Sequence, residues 1–259
     1  MNHSFALVTG ASKGIGRAIA LQLAHRGKQL LLVARNEQEL RNVQEDILIS
    51  YGIKSHYFVA DLSQKDATKK IYDWCMANDF RINVLVNNAG FGLSGSFEKF
   101  SLEEHESMMQ VNMNAVVELT YLFLPVLKSQ PRSYILNICS SASYQATPYL
   151  TLYAASKAFI RLFTRGLRVE LKKTSVSVTC VSPGATDTAF NDRAQIGDKA
   201  RKMAKRLSMT PKEVAAIAVS AMYNHRSELI VGAVNKFGAF LSWALPKKFV
   251  ENTVSRIYQ

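Results

Sequence analysis

No run of apolar residues in this 259-residue chain approaches the 18 or so that a bilayer-spanning helix requires, so no transmembrane span is expected. Leu119 to Leu127 is mostly apolar but short. Cysteine is scarce: Cys75, Cys139 and Cys180 show no paired spacing, which argues against a disulfide framework and for a reducing compartment. The start lacks a charged region followed by a long apolar stretch and runs directly into Phe5–Val8, so no secretory signal is expected and a cytoplasmic location is the default. His3, His25, His56, His105 and His225 share no ligand spacing, so no metal is expected. Internal repeats and low-complexity linkers are missing too, and residues 1–259 read as one domain. Acidic residues are the last shortage: 20 Asp and Glu against 32 Lys and Arg leave a net charge of +12, which favours anionic partners. The densest basic stretch, Lys199 to Lys212, carries no interleaved aromatics, and zinc-finger spacing is absent, so nucleic acid is set aside as a partner. A phosphate-rich cofactor, an acyl carrier or an anionic membrane surface would suit the charge as well.

What is present is a regular alternation of short apolar runs and helical periodicities. Phe5–Val8, Gln29–Val33, Ser55–Ala60, Val84–Val86, Tyr134–Ile138, Val176–Val181 and Leu229–Val231 read as strands. Helices are expected between them at Ile15–Arg26, Glu37–Ser50, Lys65–Asn78 (capped by Ser63), Ser101 to about Val111, Asn114–Leu127 and about Tyr153–Lys172. Ser101-Leu102-Glu103-Glu104 and Thr210-Pro211-Lys212-Glu213 match the capping box, the second with proline at the first helical position. Repeated βαβ units with wholly apolar strands predict an α/β fold: a doubly wound, Rossmann-like parallel sheet with helices on both faces.

The first strand runs into Thr9-Gly10-Ala11-Ser12-Lys13-Gly14-Ile15-Gly16, which opens the first helix. Glycines there let the backbone turn tightly and let phosphate oxygens approach, while the helix N-terminus offers N–H donors. The second strand ends at Ala34-Arg35, with no carboxylate where an acidic residue would hold ribose hydroxyls. Lys13 and Arg35 are two cations placed for a 2′-phosphate, which points to NADP(H). Further along, Tyr153 and Lys157 stand four residues apart, on one face of a helix. An ammonium near a phenol favours the phenolate; a shift of roughly 3 units needs about 4 kcal/mol, more than one solvated cation supplies. Alone, the spacing is more often a solvated helix face than a site.

Together these residues resemble the short-chain dehydrogenase/reductase family over roughly residues 5 to 235. The motifs fall in family order: Gly10-x-x-x-Gly14-x-Gly16, Asp61-Leu62, Asn87-Asn88-Ala89-Gly90, Asn112, Ser140, Tyr153-x-x-x-Lys157 and Pro183-Gly184. The resemblance implies that Tyr153 is the general acid/base. Lys157 would lower its pKa and bind the nicotinamide ribose, and Ser140 would hydrogen-bond the substrate carbonyl, ahead of Ser141 and Ser143. Asn112, rather than Asn114, would be the kink residue that positions a water near the lysine. Around the cofactor, Gly10, Ser12, Lys13, Gly14, Ile15 and Gly16 would cradle phosphates and Arg35 the 2′-phosphate. Asp61 and Leu62 would border the adenine, and Asn87, Ala89 and Gly90 the adenosine ribose. Pro183, Gly184, Thr186 and Thr188 would surround the nicotinamide; the family usually has a branched apolar residue where Thr186 stands.

The implied reaction is NADPH-dependent reduction of a ketone or aldehyde, with a hydrophobic or acyl-type substrate favoured. The alternative is a catalytically silent NADP(H)-binding regulator on the same fold. Phe91–Phe97, Tyr144–Thr151 and a lid at 190–212 are expected to build the substrate pocket. A homodimer or homotetramer through Asn112–Leu127 and Tyr153–Lys172 follows from the same resemblance. The apolar and basic tail at 236–259 is expected to cover the substrate entrance or a subunit interface, or to touch a membrane surface.

Overall fold

The computed structural model describes residues 4–186 and 208–258. Its frame is a seven-stranded parallel sheet in the order β3-β2-β1-β4-β5-β6-β7. The strands are β1 (Phe5–Thr9), β2 (Gln29–Ala34), β3 (Ser55–Val59), β4 (Ile82–Asn87), β5 (Ser133–Ile138), β6 (Val176–Ser182) and β7 (Glu228–Ile230). Helices α1 (Gly14–His25), α2 (Glu37–Tyr51), α3 (Ala67–Ala77), α4 (Leu102–Met109), α5 (Ala115–Lys128), α6 (Thr151–Glu170) and α7 (Pro211–Tyr223) form the connections. Two more, α8 (Ala233–Ala244) and α9 (Lys247–Tyr258), follow the last strand.

Side-chain alternation along the strands divides the core in two. Ala6 and Val8 of β1, Leu30 and Leu32 of β2 and Val84 and Val86 of β4 pack with α1 and α7 through Ile19, Leu23, Val214, Ala218 and Met222. Their sequence neighbours Leu7, Leu31 and Leu85 point the other way, onto Ile71 of α3, Met108 of α4 and Leu119 and Phe123 of α5. A strand apolar at every position is therefore buried twice, once on each face. Each such leucine contributes about 1.5–3 kcal/mol relative to exposure.

Local chemistry sets the helix ends. Asn36 caps α2, its side chain accepting from Glu39 N, and Gly52 ends it at φ +66°. Both expected capping boxes form, at Ser101/Glu104 and at Thr210/Glu213 with Pro211 in the first turn. The helix expected from Lys65 starts later, at Ala67. Ser63 N donates to Asp61 Oδ1, and turns close from Gln64 to Asp61 and from Ala67 to Gln64, so Ser63 belongs to a loop and caps nothing. Between α4 and α5 the helix does not break but widens into a π turn at Gln110–Asn114. The tail folds into two helices, with α8 beginning at Ala233, three residues before the expected start of the tail at 236. Of the expected lid at 190–212, residues up to 207 lie outside the described residues, as does Thr188.

Candidate active site

A cavity of about 1230 Å³ opens above the C-terminal ends of β1, β4, β5 and β6, where the strand order reverses between β1 and β4. In doubly wound sheets, ligands bind in that crevice. The volume exceeds that of an ordinary small-molecule pocket, roughly 300–1,000 Å³, and leaves room for a dinucleotide with a second ligand.

One end of the cavity is the glycine turn. Gly10 and Gly14 have φ of +63° and +55°, conformations that disfavour other residues. A Cβ at Gly10 would sit 2.8 Å from Asn88 Nδ2, and one at Gly16 would sit 2.1 Å from the Gly10 carbonyl oxygen. Asn88 holds the turn by donating Nδ2 to the carbonyls of Thr9 (3.0 Å) and Gly10 (3.2 Å). Thr9 Oγ1 ties β1 to β4, donating to Val86 O and accepting from Asn88 N and Ala89 N. Unlike α2, α4 and α7, helix α1 has no side-chain cap and no acidic residue in its first turn. An uncapped helix start behind a glycine cradle suits the pyrophosphate of a dinucleotide.

The two cations expected at a 2′-phosphate border this end, and each has a carboxylate neighbour that spacing alone did not reveal. Lys13 Nζ pairs with Glu39 at 2.6 Å, and Arg35 lies 3.9 Å from Asp61. Both basic side chains are more than half exposed, so such pairs are worth little and can exchange partners.

The other end gathers the chemistry-bearing groups. Ser140, Tyr153 and Lys157 all border the cavity. Tyr153 and Lys157 share a face of α6, with Lys157 Nζ 5.9 Å from the Tyr153 ring centroid. Lys157 is only 5% exposed and donates to Ile138 O at 3.1 Å. Burial pushes its pKa below the ordinary lysine value. A Cβ at Gly90 would come within 3.2 Å of that ammonium, so glycine leaves it room. Ser140 Oγ accepts from Ala142 N at 3.2 Å, while Ser143 is buried and off the cavity wall. Cys139 is core, donating its thiol to Lys157 O.

Not every expected residue reaches the wall. Ser12, Ile15, Leu62, Ala89, Pro183, Gly184 and Thr186 do. Asn87 does not: it is buried, its amide donating to Asn137 Oδ1 at 2.9 Å and Thr120 Oγ1 at 3.4 Å. The cavity side of this strand end belongs to its neighbour Asn88. Asn112 is wholly buried in the π turn. Its Oδ1 accepts from Phe91 N, and its Nδ2 donates to Phe91 O and Ser156 Oγ, which locks α4–α5 against α6. Phe97, expected at the pocket, stacks on His105 and stays exposed.

Asn88 is the contributor that the sequence announces only through the Asn-Asn doublet; the others fall in or beside stretches expected at the pocket, Tyr144–Thr151 and the tail at 236–259. Thr147, within the expected Tyr144–Thr151 stretch, sits on the wall, and its buried hydroxyl has no hydrogen-bond partner among the described residues. Helix α8 supplies Val234, Asn235, Gly238 and Ala239 to the wall. Asn235 packs on Gly184, where any Cβ would clash with its amide at 2.1 Å. Tyr144, also on the wall, donates its hydroxyl to Glu228 and lies under the Arg161 guanidinium.

The chain is similar to known proteins. Residues 4–199 match the family model described as short chain dehydrogenase. An uncharacterised oxidoreductase of Staphylococcus saprophyticus is 34% identical over 222 residues, covering 86% of this chain and 92% of that protein. The very-long-chain 3-oxoacyl-CoA reductase of Anas platyrhynchos is 37% identical over 188 residues, covering 70% of this chain and 59% of the larger reductase. Among solved structures, a short-chain dehydrogenase from Sphingobium yanoikuyae in complex with NADPH superposes with a TM-score of 0.80 at 28% identity, covering 93% of each chain. A 7beta-hydroxysteroid dehydrogenase shares the fold at a TM-score of 0.87 and 22% identity, with 97% and 96% covered. The glycine cradle, the tyrosine–lysine helix face and the family match over most of the chain have one reading: this oxidoreductase belongs to the short-chain dehydrogenase family.

Proposed function

We propose that this chain reduces a ketone or aldehyde to an alcohol with NADPH, and that the substrate is apolar, a 3-oxoacyl thioester being the first class to test. The observation that carries the reading is the convergence of Tyr153, Lys157 and Ser140 at the end of the cavity away from the glycine cradle. The cradle, Lys13 and Arg35 would hold the phosphates; Ala89, Gly90, Pro183, Gly184 and Thr186 would border the ribose and nicotinamide, and Asp61 and Leu62 the adenine. When bound, the nicotinamide supplies the hydride for the carbonyl carbon.

The chain's own groups handle the charge and the proton. Ser140 Oγ would donate a hydrogen bond to the carbonyl oxygen as negative charge develops there. Tyr153 gives its phenolic proton to that oxygen. The tyrosinate left behind faces the Lys157 ammonium, whose burial strengthens the attraction. Asn112 acts as a positioning residue, fixing Phe91 and α6 relative to each other. The cations at the far end would exchange Glu39 and Asp61 for a 2′-phosphate.

The 3-oxoacyl class is supported by the Anas platyrhynchos reductase and by the basic charge of the whole chain, which suits an anionic carrier group. Loss of NADPH absorbance across a carbonyl panel tests the reading. Turnover with a 3-oxoacyl thioester, and at least tenfold slower turnover with NADH, is the expected result. Tight NADPH binding with no turnover on any carbonyl would favour a silent regulator instead.

A further inference from the structure

Helix α8 is amphipathic in the reverse of the usual sense. The side it turns to the protein carries small or polar residues: Asn235, Ala239 and Ser242. Asn235 Nδ2 donates to Val231 O at 2.7 Å, and Ser242 Oγ donates to Tyr144 O at 3.3 Å. Apart from half-buried Leu241, its large apolar side chains point to solvent instead. Val234 is 57% exposed, Phe237 61%, Phe240 56% and Trp243 77%; Phe249, in the first turn of α9, is 62% exposed. Single exposed apolar residues are ordinary, but four on one helix with a fifth beside them form a patch that needs a covering.

We infer that α8 and the start of α9 seat this protein on an anionic lipid surface. The charge around the patch selects this occupant. From Val231 to Val250 there is no Asp or Glu, while Lys236, Lys247 and Lys248 flank the aromatic stripe, within a chain of net charge +12. Bulky apolar residues edged by lysine, with an aromatic ring pair formed by Phe240 and Trp243, are the pattern of a helix lying in the headgroup region. Among the described residues no helix is long and apolar enough to cross a membrane, so the contact is with one surface. The placement matters for access. The same helix lines the cavity through Val234, Asn235, Gly238 and Ala239, so a bound surface would lie beside the substrate entrance. This contact does not depend on which carbonyl, if any, is reduced.

The test is co-sedimentation of the full chain with vesicles of phosphatidylcholine containing phosphatidylglycerol, against pure phosphatidylcholine. Binding to the anionic vesicles is expected, weakened by added salt. Phe237→Ser/Phe240→Ser/Trp243→Ser should lower partitioning at least tenfold, and Lys236→Gln/Lys248→Gln should lower it less, with NADPH binding retained in both. The chain has two tryptophans, Trp74 and Trp243. Brominated lipid should quench wild-type fluorescence but leave Trp243→Phe unaffected, a readout that stands even if the triple variant misfolds. Wild-type protein remaining in the supernatant at low salt would overturn the inference. So would equal partitioning of the folded triple variant, or a triple variant that merely dissociates an oligomer, which would assign the patch to a second copy of the chain.

Discussion

Tyr153 and Lys157 divide the work at the residue scale between proton delivery and charge. Tyr153→Phe removes one oxygen from the cavity wall and should leave NADPH affinity within about twofold, while kcat falls by about 10²–10⁴, the range of a lost general acid. Stopped-flow turnover with fluorescence titration of NADPH separates the two. Lys157 has a consequence for stability as well. Its folded pKa lies below its unfolded value of 10.5, so within that interval the unfolded chain binds more protons. Stability of the cofactor-free protein, measured against Lys157→Met, should therefore rise with pH across that interval and stay flat below it. Urea unfolding of both proteins at several values between about pH 7 and pH 10 checks the sign; a difference that fell with rising pH would contradict it. At the far end of the cavity, Glu39→Gln should free Lys13 and tighten NADPH by a few-fold, whereas Arg35→Ala should weaken NADPH about tenfold and leave NADH unchanged, read by isothermal titration.

The elements fall into those the amino-acid pattern announces and those it conceals. Strands buried on both faces read as short apolar runs, so the sheet is visible in the sequence. The capping boxes at Ser101 and Thr210 announce two helix starts, since they are local chemistry. The glycine turn is visible because only glycine fits: a Cβ at Gly16 would overlap the Gly10 carbonyl. Gly16→Ala should therefore abolish dinucleotide binding, with an unchanged circular dichroism spectrum distinguishing a deformed cradle from an unfolded chain. Non-local partners are concealed. Nothing near Lys13 in sequence points to Glu39, which arrives on the first turn of α2, and nothing near Asn87 shows that Asn137 and Thr120 will absorb its amide. Helix α8 misleads most, because its aromatic spacing is that of a core-facing stripe, yet Tyr144 and Gly184 accept only small polar residues on the side that packs.

For the whole molecule, one exposed stripe bears on assembly. On α6, Phe159, Leu162 and Val169 are exposed, and Tyr121 is exposed on α5. Gly166 falls between them in helical register, and a Cβ there would meet nothing within 4 Å. Glycine in a helix interior costs about 1 kcal/mol relative to alanine, and no contact among the described residues repays it. A second helix crossing closely at that point would use the missing side chain. The expected state is thus a homodimer or homotetramer joined through α5 and α6, measured by light scattering coupled to size exclusion. Leu162→Glu should shift it to a smaller species without altering the cavity, which α6 lines through Tyr153 and Lys157 and not through Leu162. Gly166→Ala separates the two explanations of the glycine. If the gap is filled by a second subunit, the substitution weakens association; if the surface faces water, it leaves the oligomer unchanged and raises the stability of the chain by up to about 1 kcal/mol.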